Sequence, residues 1–284
     1  MHRGKDAHTC VRRGLVHAFA SEFIGTALLV LVGLSVVIAM FGAGSPLIAL
    51  LPDPGLRRLI TGFLFGTTGA LIAVSYVGKV SGAHINPIVT LAFWKLGKMR
   101  GLNVVIYIFA QCAGAIVGAV PLLLWGKVGG SVAFGATVPG PDFGIWIPLA
   151  GELITTFALV IGLLVFIGHR RLKTWTPLLF PFLYAVMVYL EAPISGTSTN
   201  PARSLGPAVI SGEWRGWWIY FAGPMLGAWI ATEIHRRSVL RRLEIEVAKI
   251  YHFGHDPHGI FRHRSGQHIG RDRYKEMGIE TKRF

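Results

Sequence analysis

Two Asn-Pro pairs and one arginine are the residues in this chain whose types and spacing suggest chemistry. The first pair lies in Ser81-Gly82-Ala83-His84-Ile85-Asn86-Pro87-Ile88, the second in Gly196-Thr197-Ser198-Thr199-Asn200-Pro201-Ala202-Arg203-Ser204. Asn is a favoured helix N-cap, and Pro suits the first helical position because its missing N–H would go unpaired there anyway. Each pair therefore reads as a helix start. A helix that starts within an apolar region aims its positive end and its free N–H groups at whatever lies there. What such an end offers is hydrogen-bond donors and positive potential.

The elements that must position these groups follow from length and composition. The chain has 284 residues, 52% of them hydrophobic and 15% charged, with 36 Gly, too apolar for an ordinary soluble domain. Six stretches reach the ~20 residues that cross a bilayer: about 16–41, 57–78, 102–125, 146–168, 177–193 and 216–234. The first is too long for a cleaved signal peptide and lacks a small-residue cleavage site, so it reads as a retained helix. The runs Pro87 to Leu96 and Pro201 to Ile210 are ten residues each. Each would rise ~15 Å, half of a ~30 Å hydrocarbon core. Two such half-helices entering from opposite faces meet at their N-termini near the midplane. Irregular backbone at that depth must line a water-filled cavity or be buried in protein.

Charge orients the bundle. With six alternating spans, all but five of the 28 Lys and Arg fall on the side of the N-terminus; the exceptions are Arg57, Arg58, Lys127, Arg203 and Arg215. The positive-inside rule then puts both termini in the cytoplasm. Topology accounts for the net charge of +14 without nucleic-acid binding. Cys10 in the N-terminal arm and Cys112 in the third span cannot easily meet, so no disulfide is expected.

The chain also repeats itself. Ser21-Glu22-Phe23-Ile24-Gly25-Thr26 in the first span matches Gly151-Glu152-Leu153-Ile154-Thr155-Thr156 in the fourth. Ala110 to Ala115 in the third matches Ala222 to Ala228 in the sixth. Three spans per half is odd, so the second half inserts upside down, a common plan for transport proteins with the site at the midplane. Small residues such as Gly114, Gly118, Gly223 and Gly227 allow close helix packing. The expected fold is an all-α membrane protein: six transmembrane helices plus two re-entrant half-helices in an inverted repeat. A cytoplasmic arm covers 1–14, the channel-like domain 15–235 (repeats about 15–126 and 145–235), and a basic cytoplasmic tail 236–284.

The paired motifs, the Glu in the first span of each half and the Arg after the second motif together resemble the major intrinsic protein family, the aquaporins and aquaglyceroporins, over residues 15–235. The resemblance implies a passive cell-membrane channel, not an enzyme, and a homotetramer with one pore per subunit. It implies that the pore passes water and small uncharged solutes and needs no cofactor or metal. The pore motifs would be Asn86, Pro87 and Ile88 with Asn200, Pro201 and Ala202. Asn86 and Asn200 would donate to a permeating oxygen, and the carbonyls of Gly82 to Ile85 and Thr197 to Thr199 would accept. The two helix ends and Arg203 would exclude ions and protons, the logic by which such pores are understood. Glu22 and Glu152 would brace the motif loops, and His84 would lie near the pore as a structural or gating residue.

Two departures bear on what passes. Ile88 replaces the family's usual Ala, a change expected to alter packing or narrow the midplane. The constriction, counted from the motifs, falls on Gly66, Val188, Thr197 and Arg203, with Phe65 the neighbouring choice for the first position. Strict water channels resemble Phe, His, a small residue and Arg there, so Val188 in place of His suggests a wider, less polar filter. Ser204, Ala208, Tyr220 and Phe221 resemble the water-channel side instead, and nodulin-like and bacterial relatives show a similar mix. A glycerol or neutral metalloid hydroxide facilitator with low water flux is the alternative. A proton-coupled transporter is the second, and would need a titrating carboxylate on the route. Glu191 and Glu233 read as solvated helix ends. In the tail, Glu244 to Lys249 reads as a helical continuation and the rest as disordered; His255-Asp256-Pro257-His258 lacks tight metal-ligand spacing.

Overall fold

The structure, a computed structural model, describes residues 3–262. His263, His268 and the rest of the tail fall outside the described residues. The first half contains α1 (Arg3–Phe41), α2 (Pro54–Val74), the short α3 (Pro87–Lys95) and α4 (Gly101–Ala119), which runs on into a 3-10 turn at Val120–Trp125. The second half repeats the plan with α5 (Trp146–Gly168), α6 (Thr176–Ser195), the short α7 (Pro201–Ser211) and α8 (Ile219–Arg237). Four stretches are long and apolar enough to cross a membrane by themselves: Gly14–Phe41, Gly101–Gly130, Trp146–Gly168 and Lys173–Ser195. The other two places in the six-helix plan are filled by α2 and α8. Arg57 and Arg58 begin the first of these, and Glu233, Arg236 and Arg237 end the second, so both are less apolar than the other four.

Local chemistry sets the boundaries. Asp53 caps α2 by accepting from the Leu56 N–H, with Pro54 at the first helical position. Asn86 and Asn200 cap α3 and α7 in the same way, each followed by its Pro. The short helices stop at left-handed glycines, Gly97 (φ +69°) and Gly212 (φ +73°), a conformation that glycine adopts without steric cost.

Packing joins the halves. α1 packs on α4, α5 on α8, and α2 on α6. The first two pairs need glycine at equivalent places. A Cβ on Gly114 would sit 2.2 Å from the Phe23 carbonyl oxygen, and one on Gly227 would sit 2.3 Å from that of Leu153. Side chains such as Phe109, Val117, Ile154 and Phe182 are exposed on the outside of the bundle; with no core beneath them, these are the surfaces that face lipid or a neighbouring copy. Ile88 is 1% exposed and belongs to the hydrophobic core.

The tail departs from the expectation. α8 ends at Arg237, and a 3-10 turn follows at Val239–Arg242. Residues 244–249 are not helical. Ile245, Val247, Ala248, Lys249, Ile250 and Phe261 are buried, so the segment through 262 is docked where disorder was expected. Asp256 closes its turn by accepting from the Ile260 and Phe261 N–H groups at 2.8 and 3.4 Å. Among the described residues no group of three metal-ligating side chains converges.

Candidate functional site

The two Asn-Pro loops meet at the centre of the fold and hold each other. Asn86 Nδ2 donates to the Thr199 carbonyl at 3.0 Å, and Asn200 Nδ2 donates to the Ile85 carbonyl at 2.9 Å. Each amide oxygen caps its own helix: Asn86 Oδ1 accepts from Ile88 N at 2.8 Å, and Asn200 Oδ1 from Ala202 N at 3.1 Å. An amide nitrogen carries two hydrogens. The bond between the loops uses one, leaving one on each Asn.

Buried carboxylates brace both loops identically. Glu22 accepts from the backbone N–H of His84 at 2.9 Å and of Ile85 at 2.7 Å. Glu152 accepts from Ser198 N at 2.7 Å and Thr199 N at 2.9 Å. These bonds oblige the loops to run with N–H groups turned outward, and alternate residues take positive φ: Ala83 (+54°), Ile85 (+41°), Thr197 (+51°) and Thr199 (+51°). Such strain persists only where the surroundings over-determine it. The carboxylates supply that, with Tyr107 Oη donating to Ser81 O and Tyr220 Oη to Ser195 O, both at 2.8 Å. The paired tyrosines, and Gln111 donating to Glu22 at 2.7 Å, are supports the sequence reading did not single out. Their matched places in the two repeats were the available signal.

On the face opposite the N-terminus and the tail lies a cavity of about 630 Å³. Phe65, Val188, Thr197 and Arg203 all border it, with Tyr184 beside them. Gly66 does not; it packs the other way, where a Cβ would lie 2.4 Å from the Phe180 carbonyl oxygen on α6. The residue of α2 that borders this cavity is therefore Phe65, the neighbouring choice, and helix rotation explains the one-position difference. Arg203 is 5% exposed. Its Nη1 donates to the Gly135 carbonyl at 2.8 Å, and its guanidinium carbon sits 5.9 Å from the Phe65 ring centre. Among the described residues it makes no direct ion pair.

His84 is fully buried on the opposite side of the Asn pair. Its ring stacks on Phe93 at 4.8 Å, and Nδ1 meets Thr90 Oγ1 at 3.1 Å. Nε2 lies 2.9 Å from the Ala248 carbonyl, an acceptor only, so Nε2 carries the proton. Glu233 is a surface helix end, ion-paired with Lys95 at 3.2 Å. Glu191 is not: it is 6% exposed, behind Thr197. A carboxylate so close to an apolar run was the signal that a solvated-end reading passed over.

Opposed half-helices, capped by asparagines and braced by buried carboxylates, define a membrane channel of inverted-repeat design. Residues 10–235 match the family described as Major intrinsic protein, and the chain belongs to that family: it is a multi-pass membrane protein and a passive channel for water or small solutes, not an enzyme. It is 32% identical to Aquaporin-4 of Mus musculus over 82% of this chain and 74% of that protein. It is 33% identical to Aquaporin AqpM of Methanothermobacter marburgensis over 75% and 93%. The solved aquaglyceroporin of Plasmodium falciparum shares the fold at a TM-score of 0.65, with 21% identity over 81% of this chain and 98% of that one.

Proposed function

We propose that each subunit carries one pore that passes water and small uncharged solutes and rejects protons and other ions, with Phe65, Val188, Thr197 and Arg203 as its filter. The observation that carries this is the reciprocal Asn86–Thr199 and Asn200–Ile85 pairing. It points one spare amide hydrogen from each side, and two positive helix ends, at a single place. A cation there meets two like-signed dipoles and then Arg203; a neutral oxygen meets donors.

The filter is intermediate in character. Phe65 keeps an aromatic wall, while Val188 offers no hydrogen bond where a histidine would. That combination favours small neutral hydroxyl solutes alongside water. Glu22 and Glu152 have both carboxylate oxygens committed to loop N–H groups, which speaks against their serving as proton carriers in a coupled transporter. Both termini lie in the cytoplasm in this reading, and four copies assemble into a tetramer.

Proteoliposomes test it. Osmotic shock with sucrose, then with glycerol or boric acid, is followed by light scattering. Shrinkage faster than in empty vesicles, followed by reswelling with the permeant solute, is expected. Rates equal to empty vesicles for both overturn the reading.

A further inference from the structure

Glu191 lies in no motif and reads from the sequence as a solvated helix end, yet it is buried behind Thr197. Its Oε2 accepts the Thr197 hydroxyl at 2.5 Å. Its Oε1 has no hydrogen-bond partner and faces Gly151, where a Cβ would come within 2.5 Å. Burying a carboxylate with one oxygen unsatisfied is costly, and the glycine opposite makes the room for it. The neighbouring turn of α6 carries Val188, which borders the cavity together with Thr197. A hydroxyl has one proton to donate. Thr197 commits that proton to Glu191, so toward the pore its hydroxyl can only accept.

Building on the pore reading above, we infer that Glu191 is the positioning residue of the filter, fixing Thr197 as an acceptor opposite the donors of Arg203 so that neutral polyhydroxyl solutes are favoured. A solute hydroxyl both donates and accepts, and two such groups on one molecule satisfy both poles at once.

The test is Glu191→Gln, nearly isosteric, in the full chain. Its amide donates to Thr197 and turns that proton toward the pore. Glycerol permeability should fall several-fold relative to water. In a Thr197→Val background the same substitution should change nothing further. Gly151→Ala, which displaces Oε1 without touching a charge, should shift the ratio in the same direction. Parallel changes in water and glycerol, or an undiminished Glu191→Gln effect in Thr197→Val, overturn the inference and leave the pore reading standing. Absence of any flux in the unmutated protein overturns both.

At the other end of the pore, the docked tail reaches the Gly82–Ile85 loop. Ile250 N donates to the Gly82 carbonyl at 3.0 Å, the first of the carbonyls expected to serve the permeating molecule. The Ala248 carbonyl takes the His84 Nε2 proton. Lys249 between them is fully buried, its Nζ donating to the Lys79 and His255 carbonyls at 2.6 Å each, 4.6 Å from the Phe261 ring centre. Val247 to Ile250 are no more than 4% exposed. We propose that residues 244–262 form an autoinhibitory plug that closes the tail-side mouth by occupying the hydrogen-bonding groups of the pore loop.

Stopped-flow water permeability per channel should rise several-fold in Ile250→Pro, which lacks the N–H, in Lys249→Ala, and in a chain ending at Leu243. A synthetic peptide of residues 244–262, added to the shortened channel on the tail side, should restore the low rate. Equal, non-zero rates in all forms, or a shortened channel indifferent to the peptide, overturn the plug and leave the pore reading intact. No flux in any form overturns both.

Discussion

At the residue scale, two buried carboxylates organise backbone. Glu22 and Glu152 are each fully buried and each hold two successive N–H groups of a loop with positive φ. Glu22→Ala strands the His84 and Ile85 N–H groups, at a cost of about 1–3 kcal/mol apiece. A lower melting temperature in detergent is expected, with a smaller drop for Glu22→Gln, which keeps one acceptor. A thermal-shift series checks this. The one-residue difference between Phe65 and Gly66 has opposite expected consequences. Phe65→Ala removes an aromatic wall of the cavity and should raise glycerol permeability relative to water. Gly66→Ala forces a Cβ against the Phe180 carbonyl and should lower stability while leaving that ratio unchanged.

At the element scale, the half-helices were legible and the tail was not. Asn86-Pro87 and Asn200-Pro201 cap helices by local rules, and both starts fall where those rules place them. The tail's order comes from contacts more than 160 positions away along the chain, such as Ile250 with Gly82, which no window of sequence displays. Docking also carries a pH signature. Burial, with Lys79 nearby and Asp256 opposing, pushes the Lys249 ammonium down to about 8. His255 is likewise lowered, by desolvation and by Lys249, Lys79 and His252, against Asp256. Both groups bind protons more weakly docked than free. Docking should therefore weaken as pH falls through the ordinary histidine range and strengthen as pH rises through 8 toward the ordinary lysine value. Water permeability of the full chain measured from pH 6 to 9 should fall with rising pH, and the chain ending at Leu243 should lack that dependence.

At the scale of the whole molecule, the inverted repeat produces two mouths of different character. One opens into the 630 Å³ cavity beside Arg203, with Arg58, Glu213 and Arg215 on its border. The other is packed by the tail. Basic residues crowd the tail side, the side that the proposed orientation places in the cytoplasm. Cysteines introduced at Asp142 and Arg171, both exposed and on opposite faces of the bundle, should be labelled by an impermeant maleimide from outside and only after permeabilisation, respectively. Labelling of both in intact cells would reject the orientation.

The sequence by itself determined the repeat, the helix starts, the family and the six-helix plan, because capping, apolar length and charge asymmetry are local or compositional signals. Tertiary structure decided which face of α2 turns to the cavity, where Glu191 points and where the tail rests. Each of those depends on helix rotation or on long-range packing, and hence on neighbours the chain acquires only once folded. The two Asn-Pro pairs show both parts: their caps are written locally, while the bonds that join Asn86 to Thr199 and Asn200 to Ile85 exist only when the halves meet.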